Sequence, residues 1–351
     1  MSQAPSQFMT DDLSSGGDLS TMAALHATTS VAAHDAPLDD SPVDLPRPDV
    51  LPTVAQRKQW KISWPYAVSI VLMHVVALLA FVPWFFSWTG VVVCVLGFYV
   101  FGTLGINLCY HRLLTHRGFG CPQWLERAFA VLGVCCLQDS PARWVAIHRL
   151  HHQFSDEEND PHSPVIVRLF WAHMGWLFYE NPLINNAGTY ERYARDLLKD
   201  PFYFWFERKL RAYTTTLWQL PVFFGIPFLL GWMIWGSATV AYQYGMSVVL
   251  WGVVVRTVAV WHITWSVNSL SHAWGYQTYK TGEHSQNNWF VALVSNGEGW
   301  HNNHHADQRS ARHGHDWWEF DVTYLTIRML AFVGLAHEVL EPRRNLARDK
   351  V

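Results

Sequence analysis

Charge is scarce in this sequence, and the places where it is missing say most. Only 15% of the 351 residues are Asp, Glu, Lys or Arg, while half are hydrophobic and 15% are aromatic. An ordinary soluble enzyme carries more charge and fewer large apolar groups. No charged side chain occurs from Ile62 to Tyr110, nor from Thr214 to Val255. The formal net charge is −3 and no basic face stands out, so nucleic acid is not an expected partner. Cysteine is sparse too. The five, Cys94, Cys109, Cys121, Cys135 and Cys136, contain no C-x-x-C pair, and their odd number argues against a disulfide framework. They are expected to be reduced and mostly buried. The N-terminus lacks a basic segment leading into an apolar core, so a signal peptide is not expected.

Large apolar groups are what the first 50 residues lack. Residues 1–56 hold eight Asp against the single Arg47. Such a segment buries too little surface to offset its ordering entropy. Residues 1–55 are therefore read as a disordered acidic tail, with Leu45-Pro-Arg-Pro-Asp-Val-Leu-Pro52 as an extended linker. Residues 56–345 are read as one domain. Each uncharged stretch is long enough for two membrane helices of about 20 residues. The expected spans are 64–86, 89–110, 215–235 and 239–262, with turns near Pro83 to Gly90 and at Gly236-Ser237. Arg57, Lys58 and Lys61 precede the first span, Arg112 and Arg117 follow the second, and Lys209 and Arg211 precede the third. The hairpin tips carry no positive charge. The positive-inside rule then puts both termini and the segments 111–213 and 263–351 in the cytoplasm. The apolar stretch Leu125–Leu137 is too short to span and reads as a helix on or dipping into the membrane surface. The fold class expected is an all-α integral membrane protein with a cytoplasmic helical cap.

Histidine is abundant, with 19 residues, and nine of them are patterned. They form His111-Arg-Leu-Leu-Thr-His116, His148-Arg-Leu-His151-His152, His301-Asn-Asn-His304-His305 and the outlier in Asn268-Ser-Leu-Ser-His272. On a helix His148, His151 and His152 share a face, and His301, His304 and His305 repeat that spacing. His111 and His116, five apart, suit a helix end. All of them fall on one side of the membrane. One ion takes about four to six ligands, so nine imidazoles suggest two ions, and imidazole suits iron, zinc or copper. With no cysteine alongside, a structural zinc finger is not expected. A ligating imidazole usually gives its other N–H to a carboxylate or carbonyl, and Asp156, Glu157, Asp160, Glu298 and Asp307 are near in sequence. His26 and His34 lie in the tail. His173, His262, His284, His313, His315 and His337 lack partners at ligand spacing and are read as structural. His162 is open between support of a ligand and a turn role. His74, inside the first span, is open between a functional group and a neutral histidine bonded between helices.

These motifs resemble the membrane-bound fatty acyl desaturases of the stearoyl-CoA (Δ9) type. The matching segments are His-Arg-Leu-Leu-Thr-His, His-Arg-Leu-His-His-Gln-Phe-Ser-Asp, Asp160-Pro-His-Ser-Pro164, Asn-Ser-Leu-Ser-His and Gly297-Glu-Gly-Trp-His-Asn-Asn-His-His305. They keep the family's order and its four spans over about residues 60–340. The resemblance implies two iron ions held by His111, His116, His148, His151, His152, His272, His301, His304 and His305, with Asn268 acting through a water. It implies O₂-dependent removal of two hydrogens from a saturated C16 or C18 acyl chain to give a cis double bond. Electrons would come singly from a ferredoxin, rubredoxin or cytochrome b5-like donor. The family's acyl chain threads a bent tunnel; Gln138, Trp144 and Thr264 match positions at the bend, and Trp265 one near the head group. Tyr99, Thr103, Asn107 and His111 are four apart, hence on one helix face that continues the tunnel, where Thr103 either limits chain length or merely packs helices.

One segment departs from the animal acyl-CoA enzymes. They carry Arg-Asp before the second box, where this chain has Ala146-Ile147. Trp144-Val-Ala-Ile-His-Arg is closer to bacterial and cyanobacterial relatives, some of which act on acyl groups in lipids. The carrier thus stands between CoA and a membrane lipid, and the expected location is a bacterial inner membrane. Two other functions are weighed. A hydroxylase or ketolase uses similar boxes, but Asn-Ser-x-x-His and Gly-Glu-Gly-Trp-His favour desaturation. A metal transporter would need ionisable groups at mid-membrane along several spans, and only His74 and Arg256 come near that.

Overall fold

The computed structural model describes residues 60–208, 210–343 and 346. The acidic tail and its linker lie outside them. Among the described residues the chain is helical, and its extended pairings are isolated bridges such as Ile62 with Tyr179. All five cysteines are free.

Among the described residues four helices are long and apolar enough to cross a bilayer: Trp64–Phe81, Trp88–Thr115, Arg211–Trp235 and Ala238–Leu270. Their ends follow from local chemistry. Pro65 sits in the first turn of the first span, where a missing N–H costs nothing. That span stops short of residue 86, because Val82 turns extended ahead of Pro83. Ser87 caps the second span, its Oγ accepting from the Gly90 N–H at 2.9 Å. Gly236, at φ +64°, ends the third, a conformation that costs glycine nothing.

The second and fourth spans run further than expected, past residues 110 and 262 to Thr115 and Leu270. The charge on Arg112 does not end the second, because the side chain is buried and paired. It meets Glu298 at 2.8 Å and Asp321 at 2.8 Å. The extensions matter, since they carry His111, Asn268 and Ser269 on continuous helix. The second span also changes pitch. From Phe98 to Thr115 its turns are the wide i→i+5 kind, as is Leu250–Val255 in the fourth. Such turns collect at functional sites.

The short apolar helix is Gln123–Val134, and one side of it is buried against the second span. Two glycines set the approach: a Cβ on Gly105 would lie 2.4 Å from the Gly133 backbone nitrogen. The helix ends among the spans, where its last carbonyls need donors. Arg256 Nη2 donates to Cys135 O at 3.1 Å, Gln219 Nε2 to the same oxygen at 3.3 Å, and Trp261 Nε1 to Cys136 O at 2.7 Å. This accounts for the arginine within the fourth span: it faces the negative end of a helix and lies 4.0 Å from the Phe101 ring centroid. Gly105→Val should destabilise the protein by at least the ~1–3 kcal/mol of ordinary overpacking, because backbone cannot move aside. A lower melting temperature in detergent checks this, and a wild-type melt would contradict it.

Candidate metal centre

The second histidine box lies on the helix Pro141–Gln153 and the third on the short helix His301–Ala306. With the ends of the second and fourth spans they bring all nine patterned histidines together. The nine divide into two groups, each with its ligand atoms within 4.8 Å of one another. One holds His111, His116, His148, His152 and His304; the other holds His151, His272, His301 and His305.

The division has a simple helical origin. On a helix, residues i and i+4 lean one way and i+3 leans the other. His148 and His152 go to the first group and His151 to the second. The third box does the reverse, with His301 and His305 in the second group and His304 in the first. Each helix runs between the groups and feeds both. His111 and His116 join the first because the wide turn bonds His116 N–H to His111 O at 3.2 Å, which brings residues five apart into line. The sequence spacing of five is thus a wide-turn spacing.

Carboxylates fix the rings. Nδ1–H of His111 donates to Glu298 at 2.6 Å, that of His151 to Asp160 at 3.0 Å, and that of His272 to Asp156 at 2.9 Å. Each leaves an Nε2 lone pair directed inward. Glu283 adds a fourth carboxylate, 3.7 Å from His272 and 3.6 Å from His305. Burial alone would raise Asp156, but hydrogen bonds from His272, Ser163 and the His284 backbone N–H hold it at about 2. Burial and neighbouring imidazoles push His148, His152, His301, His304 and His305 well below the usual histidine range. These five are therefore neutral at physiological pH, the form that ligates metal. His151 is the exception: burial lowers it most, but Asp160, with Asp156 and Glu283, raises it overall.

The donor set fits metal ions on two counts. The Nε2 atoms of His116 and His151 are buried without any hydrogen-bond partner. And the Nε2 to Nε2 distances are 3.1 Å for His111–His304, 3.0 Å for His148–His152 and His152–His304, 3.0 Å for His272–His301 and 3.1 Å for His301–His305. Metal–imidazole bonds of about 2.1 Å place neighbouring nitrogens about 3.0 Å apart at right angles and about 3.4 Å apart in a tetrahedron. The observed distances lie in the range that nitrogens sharing one metal ion adopt.

Beside the groups lies a cavity of about 540 Å³. His111, His148 and Asn268 face it, and so do Gln138, Trp144, Thr264 and Trp265. Gln138 is pinned there: its Nε2 donates to Thr264 at 3.0 Å and its Oε1 accepts from Trp144 Nε1 at 3.4 Å. Its neighbours Leu137 and Asp139 both take positive φ, 54° and 69°, a cost non-glycine residues meet where geometry is demanded. Tyr99 and Thr103 are not among the lining residues. Tyr99 bonds Thr326 at 2.8 Å, and Thr103 accepts from Asn296 at 2.7 Å. The face that lines the cavity is Phe98, Gly102 and Ile106, then Asn107 and His111. Counting back from His111 in fours misses it, because the wide turns insert a step of five between Gly102 and Asn107.

Some partners carry no signal in their spacing. His313 stands 3.3 Å from Glu298, with its ring centroid 4.4 Å from that of His304. His162 packs 4.5 Å from the His151 ring, and its backbone N–H holds Asp160 at 3.0 Å, so it supports that carboxylate. Asp307 pairs with Arg343 instead, and Glu157 N–H only closes a turn onto Phe154 O. His74 bonds His262 at 2.9 Å between the first and fourth spans, and His262 bonds His173 at 3.0 Å.

A helical membrane protein with two histidine clusters over one apolar cavity is the class these features define. Residues 86–328 match the family model described as fatty acid desaturase. An sn-1 stearoyl-lipid 9-desaturase of Anabaena variabilis is 41% identical over 287 residues, covering 82% of this chain and 97% of its own. An sn-2 palmitoyl-lipid 9-desaturase of a Nostoc species is 40% identical, over 80% of this chain and 91% of its own. An acyl-CoA C20 Δ5-desaturase of Anemone leveillei is 37% identical, over 93% of this chain and 96% of its own. The chain belongs to the fatty acid desaturase family, and it is an oxidoreductase.

Two substitutions test the site. His151→Ala should abolish unsaturation and lower bound metal while leaving the protein in the membrane; retained activity removes it from the ligand set. Asp160→Asn should keep the ring but loosen it, weakening metal binding roughly 10–100-fold by titration against a chelator. Unchanged affinity would exclude that role.

Proposed function

We propose that the two histidine groups each hold an iron ion, with Asn268 acting on one of them through a water, and that the enzyme places a cis double bond at Δ9 of a C16 or C18 acyl chain. The balance is one saturated –CH₂–CH₂– unit, one O₂, two electrons and two protons giving –CH=CH– and two waters. When bound, the iron pair supplies the oxidising power, drawn from O₂, that removing unactivated hydrogens requires. The protein's own part is to hold, dry and orient. The observation that carries this reading is a single cavity that meets both a histidine cluster and a long apolar wall. Ile70, Met73, Phe98 and Val260 supply that wall, and Gln138, Trp144 and Thr264 its polar bend. An apolar, water-poor channel keeps the oxidant on the substrate.

The carrier we infer is a membrane lipid. Ala146-Ile147 offers nothing to a CoA phosphate, and the cyanobacterial relatives are named for stearoyl-lipid and palmitoyl-lipid substrates. Electrons come singly from a ferredoxin, rubredoxin or cytochrome b5-like protein. The location is a bacterial inner membrane, with the site and both termini cytoplasmic, as the Lys and Arg positions require.

Expression in a host lacking unsaturated fatty acids, followed by mass spectrometry of each lipid class, tests the whole reading. The expected product is cis-Δ9 unsaturation in glycerolipid, with purified protein holding about two irons per chain. An alcohol product would make the enzyme a hydroxylase, and a fully active zinc protein would end the proposal. Chain length has its own test. Gly102→Val puts bulk on the lining face and should shift products to shorter chains, whereas Thr103→Ala should not alter chain length. The opposite pattern would restore the Tyr99–Thr103 face as the tunnel wall.

A further inference from the structure

The cavity is not closed toward the bilayer. Several of its lining residues are also exposed at the protein surface: Pro65, Ser69 and Leu72 on the first span, and Leu210 and Tyr213 at the start of the third. Leu72 is 57% exposed and Leu210 61%. A residue that both lines a cavity and faces outward marks its opening. Pro65, Leu210 and Tyr213 lie at span ends while Ser69 and Leu72 lie within the first span, so this opening extends from the membrane interface into the span's lipid-facing side.

A polar bar crosses the upper edge of the opening. Tyr66, from the first span, donates to the Asp139 carboxylate. Tyr213, from the start of the third, reaches the same oxygen at 3.3 Å and the Tyr66 hydroxyl at 3.4 Å. Arg143 holds the other carboxylate oxygen at 3.2 Å, and is itself fixed by Tyr190 at 2.7 Å and Asn185 at 2.9 Å. Asp139 is thus anchored on the site side, while the tyrosines come from two spans whose separation would widen the mouth. The two contacts made by Tyr213 are long, the weaker side of the bar.

We propose that Tyr66, Asp139 and Tyr213 form a latch over a lateral entrance, through which the acyl chain of a membrane glycerolipid slides between the first and third spans. This rests on the desaturase reading and assigns its substrate route. The chemistry at the mouth selects the carrier. Among the described residues no Lys or Arg lines the cavity, and Arg143 is committed to Asp139. A polyphosphate carrier would meet the Asp139 carboxylate, and among the described residues that line the cavity there is no cation to offset it. A glycerolipid ester brings only acceptors, and the two tyrosine hydroxyls are donors that can turn from Asp139 to its carbonyls.

Tryptophan scanning of the first span tests the route in the full-length enzyme in its own membrane. Ser69→Trp plugs the opening and should slow desaturation of lipid-borne chains at least tenfold. Val71→Trp, exposed on the same helix but off the cavity, should match wild type. Equal rates for the two variants would overturn lateral entry; a wild type that forms no double bonds would instead overturn the desaturase reading. Photocrosslinking is the check on a variant that fails to fold. p-Benzoylphenylalanine in place of Tyr213, in vesicles of dipalmitoylphosphatidylglycerol with added palmitoyl-CoA, should capture the glycerolipid. Capture of palmitoyl-CoA, or of neither, would sink the latch.

Discussion

A buried imidazole is a ligand only if its proton is kept on the far nitrogen. Everything at this site depends on that constraint. Glu298, Asp160 and Asp156 each accept a hydrogen bond from the Nδ1–H of one histidine, and the Nε2 lone pair then points the other way. Four carboxylates, with Glu283, surround the two groups, while Arg112 pairs with both Glu298 and Asp321. The burial that makes each uncompensated carboxylate costly also makes the imidazoles neutral, so the same low-dielectric setting prepares both halves of the site.

Helix geometry does the sorting. Two short boxes, each with members at i, i+3 and i+4, supply both groups in opposite senses, and the ends of the central spans complete them. The arrangement needs those spans to continue beyond the apolar runs, and it needs a wide turn to align His111 with His116. Metal chemistry and membrane architecture therefore share the same two helices. The helix Gln123–Val134 presses against one of them through glycine, and its buried end is satisfied by donors from the third and fourth spans.

Much of this was legible in the order of residues. The four spans follow from two charge-free stretches, and the nine histidines from their spacing. What was not legible depends on contacts between distant segments. Arg112 should have ended a helix, and did not, because Glu298 and Asp321 reach it from 186 and 209 positions away. Glu283 and His313 sit in irregular chain with no periodic partner to announce them. The tunnel face was displaced by one residue because nothing local to Gly102–Asn107 signals a change of helical pitch. His173 and His262 looked solitary since each finds its partner on another helix.

That last set has an arithmetic of its own. His74 gives Nδ1 to the Ile70 carbonyl at 2.7 Å, and His173 gives Nδ1 to Ser269, whose single hydroxyl proton is already spent on the Trp265 carbonyl. Between these ends stand two imidazole–imidazole contacts, each needing one hydrogen. Four contacts require four N–H groups, and three uncharged rings own three. With uncharged rings one of the four links goes without a hydrogen unless the Ser269 hydroxyl turns from the Trp265 carbonyl to His173. Cohesion of the first and fourth helices is in this way tied to how one hydroxyl proton is shared, through a device that touches neither metal nor substrate.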